Sequence, residues 1–374
     1  MWQKAIERTL PITRANIERF GDGFPIVSNG DGRYRLTDNR DWTEGFWSGI
    51  LWLSYEYSKD ERIREAAVQT VKQLGERVKQ NIAMDHHDIG FLYSLSTKAQ
   101  WIIEGDEEAK KLTLLAADTF MKRWRERTQI LQAWGPKDDP DNGGRIIIDC
   151  LMNLPLLHWA SEQTGDDKYR EIAAIHTEQS RRFLVRGDDS SYHTFYFDQE
   201  TGDSLRGGTH QGFRDGSTWT RGQAWGIYGF ALAYRYLKQP ELLETAKRLA
   251  RYFIARIPED GVVYWDFNVP QSAESMRDSS ASAIASAGLL EIIGFLDEGD
   301  AEREVFQAAV ERSMTALATT YANDDTEEQG FIKRGSYSVR GGSAPDDYVI
   351  WGDYFYLETL LRLETGKTGY WYER

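Results

Sequence analysis

The sequence predicts an all-α fold, an (α/α)6 barrel of six inner and six outer helices, read as a single domain over residues 1–374. Two patterns carry that expectation. Six segments share one design, a loop rich in Gly, Asp or Ser followed by a helix that is apolar nearly all round. Between them lie helices with one apolar and one charged face. A helix buried on both sides, packed by a one-faced partner and repeated six times, closes into a ring.

Taken in order, the N-terminal stretch MWQKAIERTLPITRANIERF is amphipathic and supplies one outer helix. The inner segments are DWTEGFWSGILWLSYEY from Asp41, DHHDIGFLYSLSTKAQWI from Asp85 and RIIIDCLMNLPLLHWASEQTG from Arg145. They continue with TWTRGQAWGIYGFALAYRYL from Thr218, DSSASAIASAGLLEIIGFL from Asp278 and DYVIWGDYFYLETLLRLETG from Asp347. Thr43, Thr218 and Ser279 suit N-caps. The starts fall roughly 45 to 70 residues apart, long enough for loop insertions. Outer helices are read from Asp60, Glu107 and Glu241; in the first, Ile63, Ala67, Val71, Leu74 and Val78 follow helical spacing. Gly45, Gly49, Gly222, Gly226, Gly229, Ala281 and Ala285 permit close approach toward the axis, although ordinary helix packing explains them equally well. Short strands are expected in loops from Tyr192 and from Gly261.

Composition narrows the function. The chain is globular, with 41% hydrophobic and 28% charged residues. A net charge of −14 argues against nucleic acid and anionic membrane as partners. Nothing reads as a signal peptide, and no apolar run is long enough to span a membrane. A single cysteine, Cys150, permits no intramolecular disulfide and fits a reducing, cytoplasmic setting. It sits in an apolar run and reads as a small buried hydrophobe. Aromatic residues are abundant, with 13 Trp, 19 Tyr and 16 Phe, and indoles at segment starts suggest stacking surfaces for rings.

The stretch WGPKDDPDNGGRIIIDCLMNLP, from Trp134 to Pro155, locates the chemistry. A polar loop gives way to an apolar run interrupted by Asp149, and a carboxylate there is costly to bury unless paired or protonated. Asp88, also where a polar loop meets an apolar helix, is its natural counterpart. Two helix starts bringing both into one pocket would explain them; a buried cap or a core salt bridge would explain Asp149 as well. Around them, at the same end of the ring, fall Trp42, Phe46, His87, Trp219, Arg221 and Trp225, with Thr209, His210 and Gln211 from the insertion RGGTHQGFRDGSTW, His193 before it and Trp134. Indoles stack on a sugar ring, Arg holds a carboxylate bidentately, and paired Asp residues move protons, which together suit a sugar acid. No metal or cofactor is expected. His86, His87 and Asp88, taken as neighbours on a helix, point in different directions, and no HExxH, nucleotide-binding glycine loop or GxSxG elbow is present.

At these residues the chain resembles a known family. DWTEGFWSGILWL, DHHDIGFLYSLS, GGRIIIDCLMNLP, RGGTHQG, DGSTWTRGQAWGIYGF and IWGDYFYLE are similar to the unsaturated glucuronyl hydrolases of glycoside hydrolase family 88, especially those of the Bacillus type, over essentially the whole chain. The resemblance implies an (α/α)6 barrel without a cofactor, acting on a small unsaturated oligosaccharide left by polysaccharide lyases. It implies removal of the terminal 4,5-unsaturated glucuronic acid by hydration of the vinyl ether: carbon 4 takes a proton, water adds at carbon 5, and the hemiketal rearranges to expel the remaining sugar. It implies Asp149 as general acid and activator of water, Asp88 as a second essential carboxylate, and Trp42, Trp134, His193, Gln211, Trp219, Arg221 and Trp225 as substrate contacts, with His87, Thr209 and His210 beside them. A neutral donor needs Asp149 lifted above about 3.9, which a charged Asp88 and indole walls would do.

Family members that favour sulfated substrates carry an S-x-x-S-x-K pattern before the last inner helix. Here the loop reads GSYSVRGGSAPDDY, with Ser336, Tyr337, Ser338 and Arg340 departing from that spacing. The expectation is a preference for unsulfated chondroitin, hyaluronan, gellan or xanthan fragments, with Tyr337 stacking on the second sugar and Arg340 pairing with Asp346 or Asp347. A related hydrolase for unsaturated galacturonyl-rhamnose and a non-catalytic sugar-binding protein remain open at this point.

Overall fold

A computed structural model describes residues 1–373. Outer helix α1 (Trp2–Phe20) precedes inner α2 (Glu44–Ser58), and outer α3 (Glu61–Lys79) precedes an inner helix in two pieces, α4 (Ile89–Ser94) and α5 (Thr97–Glu104). Outer α6 (Glu107–Met121) leads to a 3-10 turn at Ile148–Met152 and inner α7 (Pro155–Thr164). Then come outer α8 (Asp167–Leu184), inner α9 (Thr220–Leu237), outer α10 (Pro240–Ile254), inner α11 (Ser279–Ile293), outer α12 (Ala301–Thr319) and inner α13 (Ile350–Thr365). The inner helices touch in sequence, and α13 packs back on α2, so the ring closes as expected.

Burial follows the two designs. In α3 the five apolar positions read from the sequence are all buried, with charge outside, while α9 is buried along its first fourteen residues, Thr220 to Ala233. The axis is filled with aromatic rings: Trp225 against Phe355 at 5.3 Å, and Phe355 stacked on Trp371 at 5.9 Å. Trp371, from the C-terminal segment, seals the far end; its carbonyl accepts from Lys98 Nζ and Tyr236 Oη.

Capping differs from the expectation. Four of the six outer helices carry side-chain caps, from Asp60, Asp106, Asp166 and Asp300, whereas α1 and α10 carry none. Thr43 is the N-cap residue of α2 but its side chain caps nothing. Thr218 lies one residue before the Trp219 cap of α9, and Asp278, not Ser279, caps α11. In the four capped outer helices the aspartate has the extended N-cap conformation that directs a short carboxylate back onto the first free N–H groups.

Short strands fill the loops: a hairpin of β1 (Phe24–Ser28) and β2 (Tyr34–Thr37), a pair β3 (Trp124–Arg125) and β4 (Ile130–Leu131), and a three-stranded antiparallel sheet of β5 (Arg145–Ile147), β6 (Thr194–Phe197) and β7 (Ser204–Gly208). The strand expected from Tyr192 is β6. The stretch from Gly261 forms only isolated bridges at Tyr264 and Asp266. Arg145–Ile147, read as a helix start, is instead β5, because three β-branched or long residues pair with β6 before the chain turns.

Two turns are locked together at the mouth of the ring. A Cβ on Gly90 would stand 2.4 Å from Asn153 Cα and 2.5 Å from Asn153 O, so only glycine allows α4 to approach the 3-10 turn this closely. Asn153 Oδ1 accepts from Phe91 N at 2.7 Å, and its Nδ2 donates to Asp149 O at 3.1 Å. Gly90→Ala therefore forces two backbones apart. It should destabilise the protein by about 1–3 kcal/mol, the usual scale of overpacking, seen as a lower urea midpoint. An unchanged midpoint would show that the contact relaxes freely.

Candidate active site

The inner helix starts converge on a cavity of about 340 Å³ at one end of the ring. Trp42, Asp88, Trp134, Asp149, His210, Gln211, Trp219, Arg221, Trp225 and Tyr337 line it, as do Ser338 and Ser343. Those last two were not anticipated as wall residues; they come from the loop whose Tyr337 was. Trp225 is the buried floor, resting on Phe91 at 5.3 Å. Trp42 leans on Trp351 at 5.0 Å, a ring the sequence reading did not select.

Four expected contacts do not line the cavity. Phe46 is fully buried beneath it, packed on Trp42, Phe91 and Tyr354. Thr209 Oγ1 accepts from Gly212 N at 2.8 Å and shapes its own loop. His193 stands behind that loop: its Nδ1 accepts from His210 N at 3.0 Å and its ring lies 4.6 Å from Trp219. His87 is buried behind the two carboxylates.

Asp88 and Asp149 do come together. His87 Nε2 lies 3.3 Å from Asp149 Oδ1 and 3.5 Å from Asp88 Oδ1. Ligand-type atoms of all three fall within 4.8 Å of one another. His87 and Asp88 precede α4 in irregular backbone, and there neighbouring side chains can converge as they could not on a helix. The loop is held from outside by Arg77 of α3, which donates to Asp41 O and Ala83 O, contacts His86 Nε2 at 3.3 Å and pairs with buried Glu44 at 3.2 Å.

The electrostatics differ from the expectation that Asp149 is lifted. Burial raises its pKa, but the contact with His87 and that ring's charge outweigh it, and Asp149 lies below the ordinary aspartate value. Burial disfavours a charged His87, yet Asp88 and Asp149 overcome this and hold it well above the ordinary histidine range. The His87–Asp149 contact has an ion-pair distance without the alignment of a hydrogen bond, so its attraction is mainly coulombic. Burial pushes the neighbouring Cys150 thiol up, which keeps it neutral. Burial drives His193 down to about 3 despite the charge of Asp149.

Arg221 lines the cavity but its fork is already engaged. Nη1 pairs with Asp278 at 2.5 Å and donates to Ser336 O, and Nη2 donates to Tyr337 O at 2.8 Å. The guanidinium is sandwiched between Trp219 at 4.3 Å and Trp351 at 5.3 Å. Gln211 Nε2 also donates to Tyr337 O, at 3.0 Å. These bonds position the Tyr337 loop over the cavity. Arg145, not anticipated, stacks on Trp134 at 4.3 Å. Arg340 does not pair with an aspartate: Asp346 is taken by Arg334, Asp347 accepts from Ser28 and Gly30, and Arg340 reaches the Thr209 carbonyl at 3.4 Å.

Comparisons with known proteins agree over the full length. The sequence model described as Glycosyl Hydrolase Family 88 matches residues 16–365. The unsaturated glucuronyl hydrolase of Bacillus sp. (strain GL1) is 67% identical, with 100% of each chain covered, and its crystal structure has a TM-score of 0.99. A structure with dGlcA-Glc-Rha-Glc has the same identity, coverage and TM-score. A substituted unsaturated glucuronyl hydrolase from Streptococcus agalactiae, complexed with dGlcA-GalNAc6S, is 40% identical with TM-score 0.88, covering 99% of this chain and 93% of its own.

Arg221→Lys keeps the charge but leaves a buried carbonyl without its donor. It should cost about 1–3 kcal/mol of stability and raise KM through a loosened Tyr337 loop. Raised KM with an unchanged unfolding midpoint would instead make Arg221 a direct substrate contact.

Proposed function

From the premise that the chain belongs to glycoside hydrolase family 88, we propose that it removes the 4,5-unsaturated glucuronic acid from the non-reducing end of lyase-generated oligosaccharides. The observation that carries this reading is the convergence of Asp88 and Asp149 at the wall of an indole-lined cavity sized for a small sugar. Asp149 is the proton donor to carbon 4 and, once ionised, draws the proton from the water that adds at carbon 5. Asp88 supports the positive charge that develops on the ring. Because the bond to the leaving sugar breaks only after hydration, the distance rule that separates retaining from inverting glycosidases does not govern this site.

The cavity walls suit the substrate. Trp42 and Trp225 offer ring faces, and Tyr337 with Ser338 and Ser343 faces the second sugar. The acidic protein surface offers nothing to nucleic acid, and the single buried thiol suits a cytoplasmic setting. No helix among the described residues is long and apolar enough to cross a membrane.

Hydration is tested by isotope. Product formed in heavy-oxygen, deuterated water should carry the oxygen label at carbon 5 and deuterium at carbon 4. Label at the anomeric carbon with the double bond intact would refute the route.

Substrate choice follows from charge. A sulfate adds repulsion from a chain of net charge −14, and the only basic side chain of the Tyr337 loop that reaches the neighbouring insertion is Arg340, at a carbonyl. The relative with 67% identity is seen with the unsulfated dGlcA-Glc-Rha-Glc. We expect kcat/KM for an unsulfated unsaturated chondroitin disaccharide to exceed that for its 6-sulfated form by roughly tenfold, about 1.4 kcal/mol. Loss of ultraviolet absorbance across such a panel measures it. A clear advantage for the sulfated sugar would assign Arg340 to the sulfate.

A further inference from the structure

Besides His210 of the cavity wall, whose basicity burial lowers, four histidines surround or underlie the two carboxylates, and only one is placed to hold a proton between them. His87 is fully buried, is absent from the cavity wall, and has its Nε2 within 3.5 Å of both Asp88 and Asp149. His193 and His176, also buried, are each pushed by burial down to about 3 and are neutral. Each has a backbone N–H donating to its Nδ1, from His210 and Leu131, which fixes that nitrogen as an acceptor. His86 Nδ1 accepts from Asp88 N and is turned toward Arg77 through Nε2.

The groups facing His87 from each packed element are few. The approach to α4 brings Asp88 and, beyond it, His86 at 3.4 Å from Asp88. The 3-10 turn brings Asp149 and the neutral Cys150, with Arg123 beyond the thiol. Helix α8 brings neutral His176, and the segment before β6 brings neutral His193. Arg145 and Arg221 act on Asp149 from outside ion-pair distance. Two carboxylates against one ring, with no closer cation among the described residues, leave the trio one proton that three groups can share.

We propose that His87 is a positioning residue that stores the proton Asp149 delivers, resting as an imidazolium between the carboxylates and handing its Nε2 proton to Asp149 Oδ1 when substrate fills the cavity and draws the two atoms into hydrogen-bond alignment. This rests on the reading of Asp149 as the donor. The bookkeeping closes. The Nε2–H bond breaks and an Asp149 O–H bond forms; that proton then bonds to carbon 4 as the double bond is consumed. Water bonds to carbon 5 and loses a proton to Asp149, which returns it to Nε2. No proton is gained or lost beyond the water added. A carboxylate held below its ordinary range can thereby act as an acid without the site taking up a proton from solvent.

Two measurements test this, one of which needs no turnover. In the whole enzyme labelled with nitrogen-15 histidine, the His87 ring should be doubly protonated at pH 7, and Asp149→Asn should lower its titration midpoint by at least about one pH unit. A neutral His87 ring at pH 7 overturns the proposal. In His87→Gln the shared proton resides on the carboxylate pair alone, which releases it at lower pH than an imidazolium does. The alkaline limb of the kcat/KM profile should then move to lower pH by about one unit or more. A lowered plateau with the limb unmoved would make His87 merely structural and overturn the proposal. Where His87→Gln does not fold, the titration in the wild type and Asp149→Asn decides. If no unsaturated disaccharide is turned over, the assignment of activity fails while the titration still judges the proton store.

Discussion

Everything at the mouth of the barrel depends on how closely α4 meets the 3-10 turn that carries Asp149. Gly90 removes the side chain that would keep these backbones apart, and Asn153 stitches them, accepting from Phe91 and donating to the Asp149 carbonyl. The amide bonds fix the turns that carry Asp88 and Asp149, and neither bond uses a carboxylate oxygen. The acid groups are thus left free for His87 and for the cavity. A salt bridge in the same place would have consumed the groups the site needs. Arg77 extends the clamp outward, tying the loops before α2 and α4 to an outer helix through carbonyls and a buried pair with Glu44.

Positive charge in the cavity is spent in an unexpected order. An acidic chain with an anionic substrate needs cations at its mouth, yet the arginine nearest the floor, Arg221, is neutralised by Asp278 and engaged with two carbonyls. Its planar group serves as a spacer between Trp219 and Trp351, and through its hydrogen bonds as a latch for Tyr337. Arg145, over Trp134, is buried and donates to Thr194 and Asn142, so the less committed cation is exposed Arg340 on the Thr209 carbonyl; burial and then both arginines lower the basicity of His210. Guidance of an anion toward the cavity falls to Arg340, and shape recognition to the rings within.

The barrel was legible because its signal is long-range and redundant. Six inner segments and a clear apolar stripe such as Ile63 to Val78 leave little room for another topology. Local features were less legible. Thr43, Thr218 and Ser279 have the chemistry of caps, but the sequence does not say which residue of a loop adopts the capping geometry. Arg145–Ile147 became a strand because a partner 49 residues away, Thr194–Phe197, was there to pair with it. In the site, residue types were readable and orientations were not. Phe46 and His87 were placed in the wall because they sit at helix starts, yet one points into the core and the other behind the acids. Asn153 was passed over, although a second polar residue in the run from Ile146 to Leu157 was the available signal. The direction of the Asp149 shift required knowing that a charged ring, not only Asp88, stands beside it.

The aromatic filling of the axis has a consequence for traffic. From Trp225 through Phe355 to Trp371 the ring is closed, and Lys98 and Tyr236 anchor the closure by one carbonyl. Whatever enters at the mouth must leave by it. A sugar chain can present only its end to such a blind well, never an interior bond, and the shortened chain cannot thread onward through the barrel. Each cycle ends with the well being vacated before another terminus can be admitted. The architecture therefore enforces a distributive habit, one unit per encounter. It makes the supply of fresh ends by upstream cleavage, rather than the length of any single chain, the quantity that sets how much work the protein can do.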